Sequence, residues 1–126
     1  MAKLLKEMAT VTSAGEEPLL IRYERSWDDG TEMGGNFVCE VSAASWLADH
    51  IEVAADVWSA PDVEVEMPPD HLLVFARGGE HGEDTNVHIH NRRDPGAPRG
   101  GIYTMSGISI PTAKHIVAQL RALGPL

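Results

Sequence analysis

Asp62 to Met67 alternates without a break, with Asp62, Glu64 and Glu66 in turn with Val63, Val65 and Met67. Successive side chains of an extended chain point to opposite sides, so this segment has one acidic and one apolar face. It reads as a half-exposed strand, apolar side to a core and acidic side to water. Pro68-Pro69-Asp70 reads as the turn that ends it. Leu72 to Ala76 reads as a short, fully apolar strand, central in the same sheet.

The rest of the chain supplies partners for that sheet. Pro18 to Arg25 is a strand in which Leu19, Ile21 and Tyr23 alternate with Leu20, Arg22 and Glu24. Asp28-Asp29-Gly30 is a turn, and Gly34-Gly35 loosens the chain before a returning strand, Asn36 to Val41, with Phe37, Cys39 and Val41 on one face. Asn86 to Asn91 and Ile102 to Ser106 are the last strands. They are set off by a glycine-rich hairpin loop, Gly78 to Thr85, and a Pro-, Gly- and Arg-rich loop, Asp94 to Gly101. One helix runs from an N-cap at Ser42 to a stop at Pro61, with Leu47, Ile51, Ala54, Ala55 and Trp58 as its apolar stripe. A second starts near Pro111, buries Ala113, Ile116, Val117, Leu120 and Leu123, and ends at Gly124-Pro125. Leu4 to Val11 reads equally as strand or helix, and no role is assigned to residues 1–17. The expected fold is α+β, a mostly antiparallel sheet of about five to six strands with two helices packed on one side. A chain of 126 residues fits one compact domain over residues 1–126. Leu47, Ile51, Trp58, Leu73, Phe75, Ile116 and Leu120 are expected in one core.

Charge is distributed unevenly along the chain. The net charge is −9, and residues 26–76 contain eleven Asp and Glu and no Lys or Arg. Residues 1–25 balance to zero, and residues 77–126 carry a small positive excess. Asp49, Glu52 and Asp56 recur along one side of the first helix and span about 10 Å. Asp62, Glu64 and Glu66 stand about 7 Å apart on the strand that follows. Two rows of carboxylates on rigid elements can enter a groove built for phosphates or meet a basic protein surface.

The most chemical-looking stretch is Val87-His88-Ile89-His90. His88 and His90 share a face of their strand, and with His81, Glu83 and Asp84 across the hairpin they could hold a divalent transition metal. Gly82, His88, His90, Asp94 and Gly101 have a spacing that resembles the first motif of the cupin family, with Asp94 where that motif has glutamate. The resemblance covers residues 82–101 and implies a double-layered barrel of many strands. No counterpart of the family's second motif follows Gly101, and two helices take the place of the strands such a barrel needs. The barrel is therefore not the expected fold.

Arg92, Arg93 and Arg99 bracket a Pro/Gly loop and could hold a phosphate or a carboxylate. They could equally pair with the acidic middle segment, in this molecule or in a second copy, and a homodimer is left open. Tyr103 is the only aromatic near them, so direct nucleic-acid binding is not expected. No P-loop, dinucleotide fingerprint or nucleophile elbow is present. A single cysteine, Cys39, allows no intrachain disulfide and sits on the apolar face of its strand. The longest apolar runs fall far short of the ~20 residues of a membrane span. No long apolar stretch follows Lys3 and Lys6, so no signal peptide is expected, and the expected compartment is the cytoplasm. The reading is a small acidic, non-enzymatic protein without a cofactor. Asp49, Glu52, Asp56, Asp62, Glu64 and Glu66 would bind a basic partner protein, as in an inhibitor, an immunity protein or a phage anti-defence protein. The alternative is a metal-binding protein or metal-dependent enzyme built on His81, His88 and His90.

Overall fold

The alternating segment forms a strand, β4 (Val63–Met67), paired antiparallel with β5 (Asp70–Arg77) across a two-residue turn, Pro68-Pro69, whose peptide bond is cis. The structure, a computed structural model, describes residues 2–13, 18–57, 59–78 and 85–123. In chain order the other elements are β1 (Leu4–Thr12), β2 (Leu19–Trp27), β3 (Glu32–Cys39), α1 (Ala44–Asp56), β6 (Asn86–Arg93), β7 (Gly101–Ser109) and α2 (Ile110–Ala122). A single 3₁₀ turn, Val41–Ala43, leads into α1. Ser42 falls inside that turn, and the residue that caps α1 is Ala43, which makes no side-chain cap. Pro111 lies in the first turn of α2 as expected, behind the extended Ser109.

The fold is α+β, but among the described residues the strands form two antiparallel sheets rather than one, ordered β1-β2-β3 and β4-β5-β6-β7. The two sheets meet where β3 lies beside β7. Side chains fill that seam in place of a backbone ladder. Phe37 meets Tyr103 edge-on at 6.5 Å, the Asn91 amide donates to the Val38 carbonyl at 2.7 Å, and Arg25 donates to the Gly107 carbonyl. Below the seam, α1 and α2 pack on each other and on strands of both sheets. Leu19, Ile21, Phe37, Leu47, Ile51, Val74, Ile89 and Ile116 are fully buried in one continuous cluster. From β5 that cluster takes Leu72, Val74 and Ala76. Leu73 and Phe75 are on the opposite side, half-buried, because none of the described elements covers that face of the sheet. Trp58 lies outside the described residues.

Two polar clusters clamp the seam. At one end Arg93, with its side chain wholly buried, donates to Asp70 at 2.8 Å, to Glu40 at 3.1 Å and to the Pro98 carbonyl at 2.9 Å. Asp70 also accepts from Asn91 at 2.9 Å and from the Glu40 N–H at 2.7 Å, and Asn91 accepts from the His71 N–H at 3.0 Å. Both carboxylate oxygens of the buried Asp70 are filled, as burial of charge demands. At the other end Glu7 of β1 accepts from Arg25 at 2.8 Å, from Tyr23 at 3.2 Å and from the Ser109 N–H and hydroxyl, which ties β1 and β2 to the start of α2. Gly107 sits at this end with φ +69, in a bulge where two residues of β7 oppose His88. A Cβ there would meet the Arg25 guanidinium at 3.4 Å, and an L-residue would be strained in any case.

The margin of the first sheet is closed in a different way. On β1, the Val11 N–H donates to the Gln119 side-chain oxygen at 2.9 Å, and the Gln119 amide donates to the Ala9 carbonyl at 2.9 Å. The amide of Gln119 thus takes the place of a neighbouring strand.

Candidate interaction surface

The carboxylates that the sequence groups together are separated by the fold. Asp49, Glu52 and Asp56 stand on α1 beside α2. Arg121 donates to Glu52 at 2.6 Å and to Asp49 at 3.3 Å, and Lys114 pairs with Asp56 at 3.1 Å. Asp62, Glu64 and Glu66 lie on the other side of the molecule, because Val63, Val65 and Met67 turn toward the helices. The six do not share a face and cannot enter one groove together. Asp62 is gripped by both terminal nitrogens of Arg77 at 2.9 Å, which lowers its carboxyl below the usual range. Glu64 reaches His71 at 3.2 Å, and Glu66 takes part in none of these ion pairs.

The cations of residues 77–126 thus fold back over the acidic middle segment. Arg77, Arg93, Lys114 and Arg121 each hold a carboxylate from it. Four cations hold six of the eleven carboxylates of that segment, so the acidic field is offset only in part within the chain.

The described elements pack on one side only of the sheet β4-β5-β6-β7. Its open side displays Glu64 and Glu66 on β4, and Leu73, Phe75 and Arg77 on β5. His88, His90 and Arg92 follow on β6, and Ile102 and Thr104 on β7. Ile102 is 78% exposed, the most of any large apolar residue described. Phe75 is the centre of this surface. Its ring stacks on His88 at 4.8 Å and on His90 at 5.4 Å, and the Arg77 guanidinium lies 4.5 Å from its centroid.

The two histidines are therefore brought to one face, but as part of an aromatic stack. His88 accepts from the Gly107 N–H at 3.1 Å through Nδ1, and His90 Nδ1 lies 3.3 Å from the Thr104 hydroxyl. Burial first, and then the nearby His90, Arg77 and Arg25, hold the His88 imidazole below its ordinary pKa. His81, Glu83 and Asp84 lie outside the described residues, as does Gly82. Among the described residues no group of three His, Cys, Asp or Glu side chains is placed to hold a metal. Asp94, at the cupin-like glutamate position, is a turn residue whose carboxylate accepts the Gly96 N–H at 2.9 Å.

The three loop arginines do not converge on an anion. Arg93 is buried in the seam cluster, while Arg92 points to the opposite, open side, 3.4 Å from His71. Arg99 has a left-handed backbone, φ +56, and its carbonyl accepts the Tyr103 hydroxyl at 2.6 Å. Gly100 follows it because a Cβ there would lie 2.7 Å from Pro95 Cα and collide with the Asp94 carbonyl. Cys39 is fully buried, and burial together with the Asp70 charge raises its thiol pKa, so it is not a nucleophile.

The Arg93–Asp70–Asn91 cluster is the feature that residue-by-residue reading misses. Strand parity carried the signal. His88, His90 and Arg92 share the open face, so Asn91 and Arg93 must share the buried one with Val87 and Ile89. No family model and no curated protein matches the chain. No described helix is long and apolar enough to cross a membrane.

Proposed function

We propose that the protein is a small, non-enzymatic binding protein that docks on a basic partner protein through the open side of the sheet β4-β5-β6-β7. The observation that carries this reading is the placement of Glu64 and Glu66 on the β4 edge of a sheet face that no described element covers, with the exposed Ile102 at the opposite, β7 edge of the same face. Contiguous apolar surface rimmed by polar groups marks interaction sites, and on this face Leu73 and Phe75 lie half-buried among charged and polar side chains. The net charge of −9 attracts a cationic surface over distance, and the carboxylates of β4 give local register. An inhibitor, an immunity protein or a phage anti-defence protein acts in this manner.

The test starts with affinity capture from the native host and identification of the co-purifying protein. Association is then followed for wild type, for Glu64→Gln with Glu66→Gln, and for Asp49→Asn with Glu52→Gln and Asp56→Asn. The β4 pair should slow association and flatten its salt dependence. The α1 triple should act weakly, because Arg121 and Lys114 already hold those groups. Equal effects from both sets, or none from the β4 pair, would refute the assignment of the surface.

A further inference from the structure

We infer that the outer edge of β4 takes up an extended segment of the partner as an added strand, an inference that rests on the partner being basic as proposed above. β4 is the outermost strand of its sheet. It pairs with β5 through all five of its residues, and among the described residues no other group bonds its backbone. Its outward N–H and C=O groups form a row of unfilled donors and acceptors, the template that strand addition uses. The contrast with β1 is direct, since Gln119 fills that strand's edge at Ala9 and Val11.

Charge complementarity defines the occupant. On one side of β4 stand Glu64 and Glu66, both exposed, and on the other Val63, Val65 and Met67, half-buried over the helices. An added strand continues the same alternation, so its outward residues lie beside Glu64 and Glu66 and its inward residues beside the apolar set. The complementary segment therefore alternates Lys or Arg with apolar residues over about five positions, roughly 17 Å of extended chain. A second copy of β4 does not meet this requirement. Pairing β4 with itself would set glutamates against glutamates, which is unfavourable across neighbouring strands.

The experiment uses the full chain and a fluorescent nine-residue peptide of alternating Lys and Val. Two further peptides carry backbone N-methyl groups, one at the Lys amides and one at the Val amides. In an added strand only one of these sets faces β4. One methylated peptide should lose binding by about tenfold or more, while the other stays within about twofold of the parent, as loss of two or three hydrogen bonds on one edge dictates. Glu64→Gln with Glu66→Gln should weaken the parent peptide several-fold, and a Glu/Val peptide should not bind.

If both methylated peptides bind alike while the glutamine variant still weakens binding, strand addition is overturned and the acidic reading stands. A parity effect that ignores Glu64 and Glu66 places the added strand on another edge and overturns the assignment to β4. Equal binding of the Glu/Val peptide removes the charge argument, and with it both readings. Absence of any binding by the Lys/Val peptide at low salt also overturns the inference.

Discussion

The two polar clusters that clamp the seam do the same job with different degrees of commitment. Arg93 and Asp70 are sealed from water, with Glu40 partly exposed at the rim, and each carboxylate oxygen of Asp70 is used. Around Glu7 the pair with Arg25 is only mostly buried, and the rest of the cluster is hydroxyls and one backbone N–H. In a sealed site, removing one partner leaves a charge with no solvent to turn to. In a partly open site, water can take up much of the loss. The difference separates a cluster that fixes how the sheets meet from one that adjusts how tightly they hold.

Substitutions should rank in that order. Asp70→Ala takes from the buried Arg93 its one fully buried carboxylate partner, leaving Glu40 and the Pro98 carbonyl, and should lower stability by about 3–5 kcal/mol in denaturant titration. Glu7→Gln keeps the shape but removes the charge. It should lower stability by about 1.5–3 kcal/mol, the range for hydrogen bonds to a charged group. If Glu7→Gln proved the more damaging of the two, the ranking of the clusters would be reversed. Gly107→Ala strains the bulge at positive φ and crowds Arg25, with an expected loss of about 1–2 kcal/mol. Arg121→Gln, on the exposed helix surface, should leave the melting temperature nearly unchanged.

Acid should separate the clusters further. Burial raises the Glu7 pKa, but its bonds to Ser109, Thr112 and Arg25 outweigh that and hold it below 4.5. The unfolded chain therefore binds a proton first, and the stability contributed by Glu7 is present above pH 4.5 and lost as pH falls through the folded pKa. His88, also held low, behaves with the same sign but earlier. Below pH 6.5 the unfolded imidazole protonates while the folded one resists, so stability declines on acidification. Protonation at Nδ1 would also set two N–H groups against each other at Gly107. Unfolding free energy measured from pH 7 to pH 3 should fall in two stages. His88→Gln should remove the first stage, and Glu7→Gln should reduce the second, to which Asp29 and Asp62, both also held low, contribute. A single stage in wild type, untouched by either change, would show that other groups dominate.

Local pattern made the β4–β5 hairpin, the helices and most of the strands readable in the sequence. Alternation in residues 62–67, the Pro68-Pro69 turn and the stripe of Leu47, Ile51, Ile116 and Leu120 each depend on near neighbours in the chain. The division into two sheets was not readable, because the seam is made by residues far apart in sequence, such as Phe37 with Tyr103 and Arg25 with Gly107. β1 was ambiguous since Glu7 takes an inward position that an apolar residue would normally hold. Leu73 and Phe75 were assigned to the core because an unbroken apolar run does not reveal that no described element covers one face of its sheet. The charge block was plain, but its partial neutralisation was not. Arg121 meets Glu52 from 69 positions along the chain.

Gln119 has a consequence for assembly. A protein whose sheets end in two open edges is a bifunctional monomer, since each copy can bind on both sides and chains of copies grow without limit. Where α2 lends its amide to Ala9 and Val11, one of those functions is blocked at that stretch of β1. Among the described residues the five-residue outer edge of β4 carries no such block, and its glutamates repel their own kind. In the language of polymer growth the molecule is a chain stopper. With strand addition at β4 as inferred above, each copy joins one other strand, and its complexes should be finite and of fixed stoichiometry.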